Sequence, residues 1–155
     1  MEFKELVTRR YSCKKYGDSL VADDTIASIL EVARHAPTAK NLQEQHVYVI
    51  KSEEGLAKVD ELTPCRYGAP VVLMVAFNSK NVFTYPGGKR NSGIEDASIV
   101  ATHLVLAAAD AGVDSCWVNN FNPEKAAEAF GLPEDAGPLA NHASRKPIEE
   151  TVSYL

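Results

Sequence analysis

The segment from Ser92 to Gly112 constrains the fold of this chain more than any other. It opens with Ser-Gly-Ile-Glu, in which Ser92 and Glu95 can form a capping box, each side chain satisfying an unpaired backbone N–H at the start of a helix. Gly112 can adopt the left-handed conformation that commonly ends a helix. We therefore predict one helix that runs to about Ala111 and measures roughly 30 Å, at about 1.5 Å per residue.

This predicted helix is apolar nearly all round, so it needs cover on every side. Its apolar residues are Ile94, Ala97, Ile99, Val100, Ala101, Leu104, Val105, Ala107 and Ala108. A chain of 155 residues forms one compact domain and supplies little cover for such a helix. We therefore favour a homodimer in which a second subunit covers part of it. The alternative is a central helix wrapped entirely by the chain's own sheet and neighbouring helices.

Shorter patterns predict the remaining elements of a single domain, residues 1–155. Four further helices are expected, at 3–7, between Asp23 and Pro37, at 53–62 and from Pro123 to Phe130. Strands are expected at 46–50, 69–77, 114–121 and 151–155. The run 69–77 is continuously apolar, which is typical of a strand buried on both faces. Asp23 or Asp24 would cap the second helix.

Composition and motifs argue against several classes of function. The formal net charge of −5 disfavours nucleic acid or an anionic membrane surface as the main partner. The N-terminus lacks the apolar core of a secretory signal, and three widely spaced cysteines are typical of reduced thiols in a cytoplasmic protein. The four histidines show no ligand spacing, so we predict no metal site. The common phosphate-loop and dinucleotide motifs do not occur.

Two basic clusters stand out on this acidic chain. The first, Arg9 to Tyr16, places four cations around Ser12 and includes Cys13, whose thiolate could be reactive there. The second is Ser144 to Lys146. Arginine offers a planar fork of donors for a phosphate and lysine adds a point charge, so the clusters could clamp a small, doubly charged anion. Equally, both could be solvated surface charges paired with some of the 21 acidic residues.

A third polar segment, residues 36–45, lies between the second predicted helix and the first strand. It offers hydroxyl and amide groups from Thr38, Asn41 and Gln43, as a ligand-binding loop would. An ordinary turn is the simpler interpretation unless something ties this segment to the basic clusters.

In this order, the segments resemble the FMN-dependent nitroreductase family. The opening Arg-x-Ser-x-Arg/Lys-x-aromatic motif of that family is matched by Arg10, Ser12, Lys14 and Tyr16. Its Ala-Pro-Ser-x-x-Asn-x-Gln signature is matched by residues 36–43, with Thr38 in place of serine. The alanine-rich helix closing on Gly112, the segment Cys-Trp-Val-Asn-Asn-Phe and the late Ser-Arg-Lys-Pro complete the likeness, which covers nearly the whole chain.

The resemblance implies an α+β fold, a nitroreductase-like sandwich with a mainly antiparallel central sheet flanked by helices and the long central helix at a dimer interface. It implies FMN as cofactor, bound at the interface of a homodimer, with NADH or NADPH as electron donor. Hydride would pass through flavin N5 in a ping-pong cycle to small electrophiles such as nitroaromatics or quinones, and no side chain is assigned as acid or base. The resemblance assigns the cofactor to Arg10, Tyr11, Ser12, Lys14, Pro37, Thr38, Ala39, Asn41, Val118, Asn119, Asn120, Arg145 and Lys146.

The resemblance leaves the substrate and the extent of turnover open. The family usually has a tryptophan shortly after its second motif, whereas Glu44, Gln45 and His46 follow here, so substrate preference cannot be carried over. The family also has a longer stretch, typically containing Gly-Tyr-Pro, between the Gly-Leu-Pro that corresponds to 131–133 and its last basic motif. Here only four residues separate 131–133 from the segment that leads to that motif, and we favour residues missing from the sequence over a short loop. Two rival functions are a flavin-binding redox sensor or carrier with little turnover, and a non-flavin domain that binds another phosphate ligand.

Overall fold

The computed structural model describes residues 2–17 and 19–138. The α-helices in these ranges are α1 (Phe3–Arg9), α2 (Asp23–Arg34), α3 (Glu53–Leu62), α4 (Gly93–Asp110) and α5 (Pro123–Ala129). The strands are β1 (Gln45–Ile50), β2 (Val72–Asn78) and β3 (Ala136–Pro138). The strand expected at 151–155 lies outside the described residues. None of the described helices is long and apolar enough to cross a membrane.

The strands form an antiparallel sheet in the order β1-β2-β3. Val47 lies opposite Val75 in the β1–β2 pair, and Ala76 lies opposite Pro138 in the β2–β3 pair. Within β2, the middle strand, Val75, Ala76 and Phe77 are buried in succession. Because successive side chains point to opposite faces of a sheet, both faces are covered along this half of the strand, as predicted.

Helix α4 packs against α2 and the sheet and ends where the sequence predicted. Gly112 follows it with φ of 72°, and its N–H donates to the Ala109 carbonyl while the next N–H donates to Ala108, which is a Schellman motif. The apolar side chains that α4 buries are Ala97, Val100, Ala101, Leu104, Ala107 and Ala108. Ile94, near its start, is 50% exposed. The chain therefore covers one side of this helix and leaves apolar surface at its beginning.

The capping box predicted at the start of α4 is wrong. Ser92 has φ of −82° and ψ of −2°, and its side chain makes no capping hydrogen bond. Its hydroxyl instead donates to Asp96 Oδ2 at 2.6 Å, while the Gly93 N–H donates to the Asn91 side chain at 3.1 Å. The Glu95 carboxylate accepts a hydrogen bond from the Tyr85 hydroxyl. A buried hydrogen bond to Asp96 thus replaces the predicted cap.

The aspartates predicted to cap α2 lie inside its first turn. Ala22 occupies the capping position and offers no side-chain acceptor. Asp23 instead pairs with Lys51 at 2.6 Å, and Asp23 and Asp24 still favour the positive end of the helix dipole. The other short helices agree with prediction, since α3 spans 53–62 and α5 ends one residue before Phe130.

The strand predicted at 114–121 does not form. This segment carries a single parallel bridge, between Ser115 and Ser12, together with a hydrogen bond of 3.0 Å from the Cys13 N–H to the Ser115 carbonyl. A strand needs a ladder of successive backbone hydrogen bonds to a neighbour, and the rest of the described chain adds no second rung. The apolar pattern predicted extended backbone here but could not predict its partner.

Candidate functional site

The basic stretch, Arg9–Tyr16, lies against the segment that follows α4. In addition to the Ser12–Ser115 bridge, the Tyr11 hydroxyl donates to Asp114 Oδ2 at 2.9 Å. This hydrogen bond raises the pKa of Tyr11 to about 12, because the neighbouring carboxylate stabilises the protonated phenol. The contacts join the first group of predicted cofactor residues to Asp114 and Ser115, which precede the last predicted group in the described chain, residues 118–120.

The cations of the basic stretch differ in their surroundings. Arg9 pairs with Glu5, one turn earlier on α1, at 3.2 Å. Arg10 is half-buried, whereas Lys14 and Lys15 are exposed. Within residues 2–17 and 19–138, no carboxylate forms an ion pair with these three. The paired-charge interpretation therefore fits Arg9, and a phosphate clamp stays a prediction for the other cations.

The loop Pro37–Gln43, which we call the cofactor loop, has an unusual backbone. It contains a 3₁₀ turn, Ala39–Asn41, and Lys40, Asn41 and Gln43 have φ of 53°, 55° and 57°. Residues other than glycine rarely adopt such angles, so this is not an ordinary turn. The Gln43 N–H donates to the Thr38 hydroxyl oxygen at 3.1 Å and closes the loop. Among the predicted cofactor residues here, Thr38 and Ala39 are half-buried, and Pro37 and Asn41 are exposed.

A buried carboxyl group on α4 holds the cofactor loop in place. Asp96 is 3% exposed, and its Oδ1 accepts a hydrogen bond of 2.8 Å from the Ala39 N–H. Sequence analysis did not single out this residue. One signal was available, because Asp96 lies four and eight residues before the buried Val100 and Leu104, on the apolar face of the helix.

Residues 117–120 follow the segment that contacts the basic stretch, and they include two amide side chains. The Trp117 indole N–H donates to Asn119 Oδ1 at 2.8 Å, which turns the Asn119 side chain back onto its own segment. The exposed Asn120 reaches the sulfur of Cys65 through Nδ2 at 3.6 Å. Val118 is half-buried. Of the two predicted asparagines, Asn120 therefore has the more accessible side chain.

The three free cysteines have different environments. The pKa of Cys65 is lowered, chiefly by a hydrogen bond from Tyr67 and then by one from Asn120. Burial raises the pKa of the Cys116 thiol. Cys13 is 4% exposed and its thiol donates to a backbone carbonyl two residues later, so its sulfur is poorly accessible to a reagent. The described residues contain no cluster of side chains suited to a metal ion.

A cavity of about 750 Å³ lies between the sheet and the helices, and Lys15 and Tyr16 of the basic stretch also line it. Among the described residues that are predicted to bind the cofactor, Val118 lines this cavity. The structure therefore joins the basic stretch to the segment that leads to residues 118–120, and it ties the cofactor loop separately to α4. Arg145 and Lys146, predicted to bind the phosphate from the other side, lie outside the described residues.

The chain is similar to members of one family over most of its length. The model of the nitroreductase family matches residues 7–66 and 64–142. A protein of Methanothermobacter thermautotrophicus, provisionally named NADH dehydrogenase/NAD(P)H nitroreductase, is 30% identical over 149 residues. That alignment covers 90% of this chain and 74% of the relative.

Solved structures agree with this similarity. A nitroreductase family protein from Clostridium difficile 630 has a TM-score of 0.91 and 34% identity, over 99% of this chain and 98% of that one. A provisionally named nitroreductase from Exiguobacterium sibiricum 255-15, solved in complex with FMN, has a TM-score of 0.85 at 21% identity, over 100% and 98% of the two chains. The α+β fold expected from the sequence is confirmed.

Proposed function

This chain belongs to the nitroreductase family of FMN-dependent NAD(P)H oxidoreductases, and from that premise we propose that it reduces small electrophiles such as nitroaromatics or quinones. The observation that carries the proposal is the contact between the basic stretch and the segment after α4. It joins a stretch that carries cations and a hydroxyl to a distant segment that leads to two amide side chains. Such a set of donors suits a phosphorylated cofactor.

The side chains at this contact fit the phosphate of FMN. Arg10 offers a planar guanidinium, Ser12 an exposed hydroxyl and Lys14 an exposed ammonium. Together they combine bidentate donors, a neutral donor and a point charge, which is the chemistry that binds phosphate in proteins. Arg145 and Lys146 complete the phosphate site in the proposal.

The cofactor loop supplies groups suited to the ribityl chain and the ring. The Thr38 oxygen accepts from Gln43, which leaves the Thr38 O–H able to donate to a ligand. Asn41 presents an exposed amide. Asn120 would add a donor from the opposite segment. These residues hold and orient the cofactor, and we assign no side chain as acid or base.

FMN bound at this site would supply the hydride-transfer chemistry between NADH or NADPH and the acceptor, which we expect to follow a ping-pong order. The tryptophan that usually follows the family's second motif is absent here, where the chain has Glu44, Gln45 and His46. The acceptor is therefore to be identified by experiment. Double-reciprocal plots of the initial rate against the NADH or NADPH concentration, at several fixed acceptor concentrations, should give parallel lines. Converging lines would contradict the ping-pong order without affecting the assignment of the cofactor.

We also propose a homodimer with FMN at its interface. Ile94 on α4 is 50% exposed, and Phe3 and Val7 on the neighbouring α1 are 69% and 37% exposed. Exposed apolar side chains on two helices that contact each other are typical of subunit contacts. Light scattering should give the mass of two chains for the wild type and of one chain for Ile94→Glu. A wild type with the mass of one chain would overturn this part of the proposal.

The experiment that tests the proposed function is a visible absorption spectrum, recorded before and after NADH or NADPH is added without oxygen. A flavin spectrum that bleaches with either nucleotide would support it. A flavin spectrum that does not bleach would favour a redox sensor or carrier. A colourless protein that takes up no added FMN would mean that the basic clusters bind another ligand.

A further inference from the structure

We infer that Asp96 is a positioning residue, which fixes the cofactor loop in the conformation that binds FMN. The inference rests on the proposed function, because it assigns Asp96 a part in the same site. Asp96 lies on α4 rather than in the loop, and its side chain accepts from the loop backbone at Ala39. It therefore acts through Ala39 and its neighbours.

Both oxygens of the Asp96 carboxyl group are used. Oδ1 accepts from the Ala39 N–H at 2.8 Å, and Oδ2 accepts from the Ser92 hydroxyl at 2.6 Å. Asp96 is 3% exposed and Ser92 is fully buried. A buried carboxyl group is costly unless it is hydrogen-bonded, so its position is determined by these partners. The Ser92 contact satisfies one oxygen within α4, and the Ala39 contact ties the other oxygen to the loop.

The loop needs such support because its backbone is strained. Lys40, Asn41 and Gln43 all have positive φ, and residues without the freedom of glycine keep such angles only where the surrounding structure enforces them. The Ala39 N–H held by Asp96 immediately precedes the first of these residues. The hydrogen bond from Gln43 to Thr38 closes the other end. Two ties, one from α4 and one within the loop, thus bracket the strained residues.

The consequence concerns the groups that face the ligand. Thr38 lies directly before the residue that Asp96 holds, and Asn41 lies two residues after it. If the hydrogen bond between Asp96 and Ala39 is lost, the strained residues can relax. The Thr38 hydroxyl and the Asn41 amide then no longer keep fixed positions relative to each other. The cofactor should then bind more weakly, and the environment of its ring should change.

Three variants separate positioning from simple packing. Asp96→Ala removes both hydrogen bonds. Ser92→Ala is the matched control, because it removes one bond within α4 and keeps the Ala39 tie. Asp96→Asn is the conservative variant, since its amide can accept from Ala39 and donate to Ser92. We expect Asp96→Ala to raise the dissociation constant of FMN by about tenfold or more, which corresponds to about 1.4 kcal/mol. Ser92→Ala and Asp96→Asn should stay close to the wild type.

Hydrogen exchange of the protein without FMN gives a readout that does not depend on the cofactor. Asp96→Ala should speed exchange of the Ala39 amide and the adjacent loop amides, whereas Ser92→Ala should lower the melting temperature without this local effect. The visible circular dichroism of bound FMN should change in Asp96→Ala alone. Unchanged loop exchange in Asp96→Ala, or equal loss of affinity in Ser92→Ala, would overturn the inference.

A fourth variant covers the case in which Asp96→Ala does not fold. Ala39→Pro deletes the single N–H that Asp96 holds, and Thr38, at φ of −133° and ψ of 157°, already has the extended backbone that a residue before proline requires. It should weaken FMN binding as Asp96→Ala does, and unaltered affinity would count against the inference. If the wild type itself bound no FMN, the proposed function would fail, while hydrogen exchange would still test the tie between α4 and the loop.

Discussion

The Tyr11 hydroxyl donates a hydrogen bond of 2.9 Å to the carboxylate of Asp114, which lies 103 positions later in the chain. Together with the bridge between Ser12 and Ser115, it joins the basic stretch after α1 to the segment after α4. Residues that local sequence patterns treat separately thereby form one surface. The proposed phosphate site depends on this junction, so its chemistry can be tested directly.

The first prediction concerns the ionisation of Tyr11. The Asp114 carboxylate raises its pKa to about 12, and Asp114→Asn should lower it toward the ordinary value of about 10. Phenolate absorbance, taken as the difference between each protein and its Tyr11→Phe counterpart, measures the shift. Because the pKa is raised on folding, the contact contributes stability below about pH 10 and loses it as the pH rises through about 12. An unchanged midpoint in Asp114→Asn would contradict the assignment.

The second prediction concerns the phosphate clamp. Arg10→Ala, Lys14→Ala and Arg145→Ala should each weaken FMN binding, because each removes a charge-assisted contact worth about 1.5–3 kcal/mol, or about ten- to a hundredfold in affinity. Fluorescence titration of the protein without cofactor measures the dissociation constants.

Arg9→Ala is the matched control for these variants, since Arg9 pairs with Glu5 and is outside the predicted set. It should bind FMN as the wild type does. Full flavin occupancy in both Arg10→Ala and Arg145→Ala would show that the phosphate is placed wrongly.

The third prediction concerns the contact between α4 and the sheet. A Cβ added at Gly93 would lie 2.2 Å from Phe77 Cε2, in a buried place where the ring has little room to move. Gly93→Ala should therefore destabilise the protein by about 1–3 kcal/mol, as overpacking does. Gly17→Ala is the control, because no atom lies within 4 Å of its added Cβ. Thermal unfolding of both variants tests the difference, and equal melting temperatures would refute it.

The fourth prediction concerns the reactivity of the cysteines. The pKa of Cys65 is lowered by hydrogen bonds, first from Tyr67 and then from Asn120, whereas burial raises that of Cys116. Cys65 should therefore carry more thiolate at neutral pH and react first with iodoacetamide. Tyr67→Phe removes the main donor and should slow the reaction. Mass spectrometry of the adducts over time decides the order, and faster labelling of Cys116 would refute the prediction.

Local patterns were sufficient for most of the fold. The apolar spacing of α2 and α4, the strands β1 and β2, and the glycine that ends α4 were all read from stretches of a few residues. Each of these features depends on residues that are close together in the chain, because side chains return to the same face every few residues in a helix and every second residue in a strand. The same local reasoning selected the basic stretch and the cofactor loop, although the roles of those residues remain proposals.

Local patterns did not predict the hydrogen-bond partners of the polar groups. Ser92 was expected to cap its own helix, but its hydroxyl binds Asp96, and the segment 114–121 was expected to be a strand, but it forms a single bridge. Neither Asp96 nor Cys65 was selected from the sequence. In each case the hydrogen-bond partner lies in another segment of the chain or is a competing side chain on the same helix.

The sequence by itself determined the helices, the strands β1 and β2 and where α4 ends, because burial periodicity and backbone preference act over a few residues. Only the tertiary structure decided which polar groups meet. Ala39 reaches Asp96, and Asn120 reaches Cys65, across 57 and 55 positions of chain. A hydrogen bond requires its two atoms to lie about 3 Å apart, and separations along the sequence do not specify such distances until the whole domain has packed.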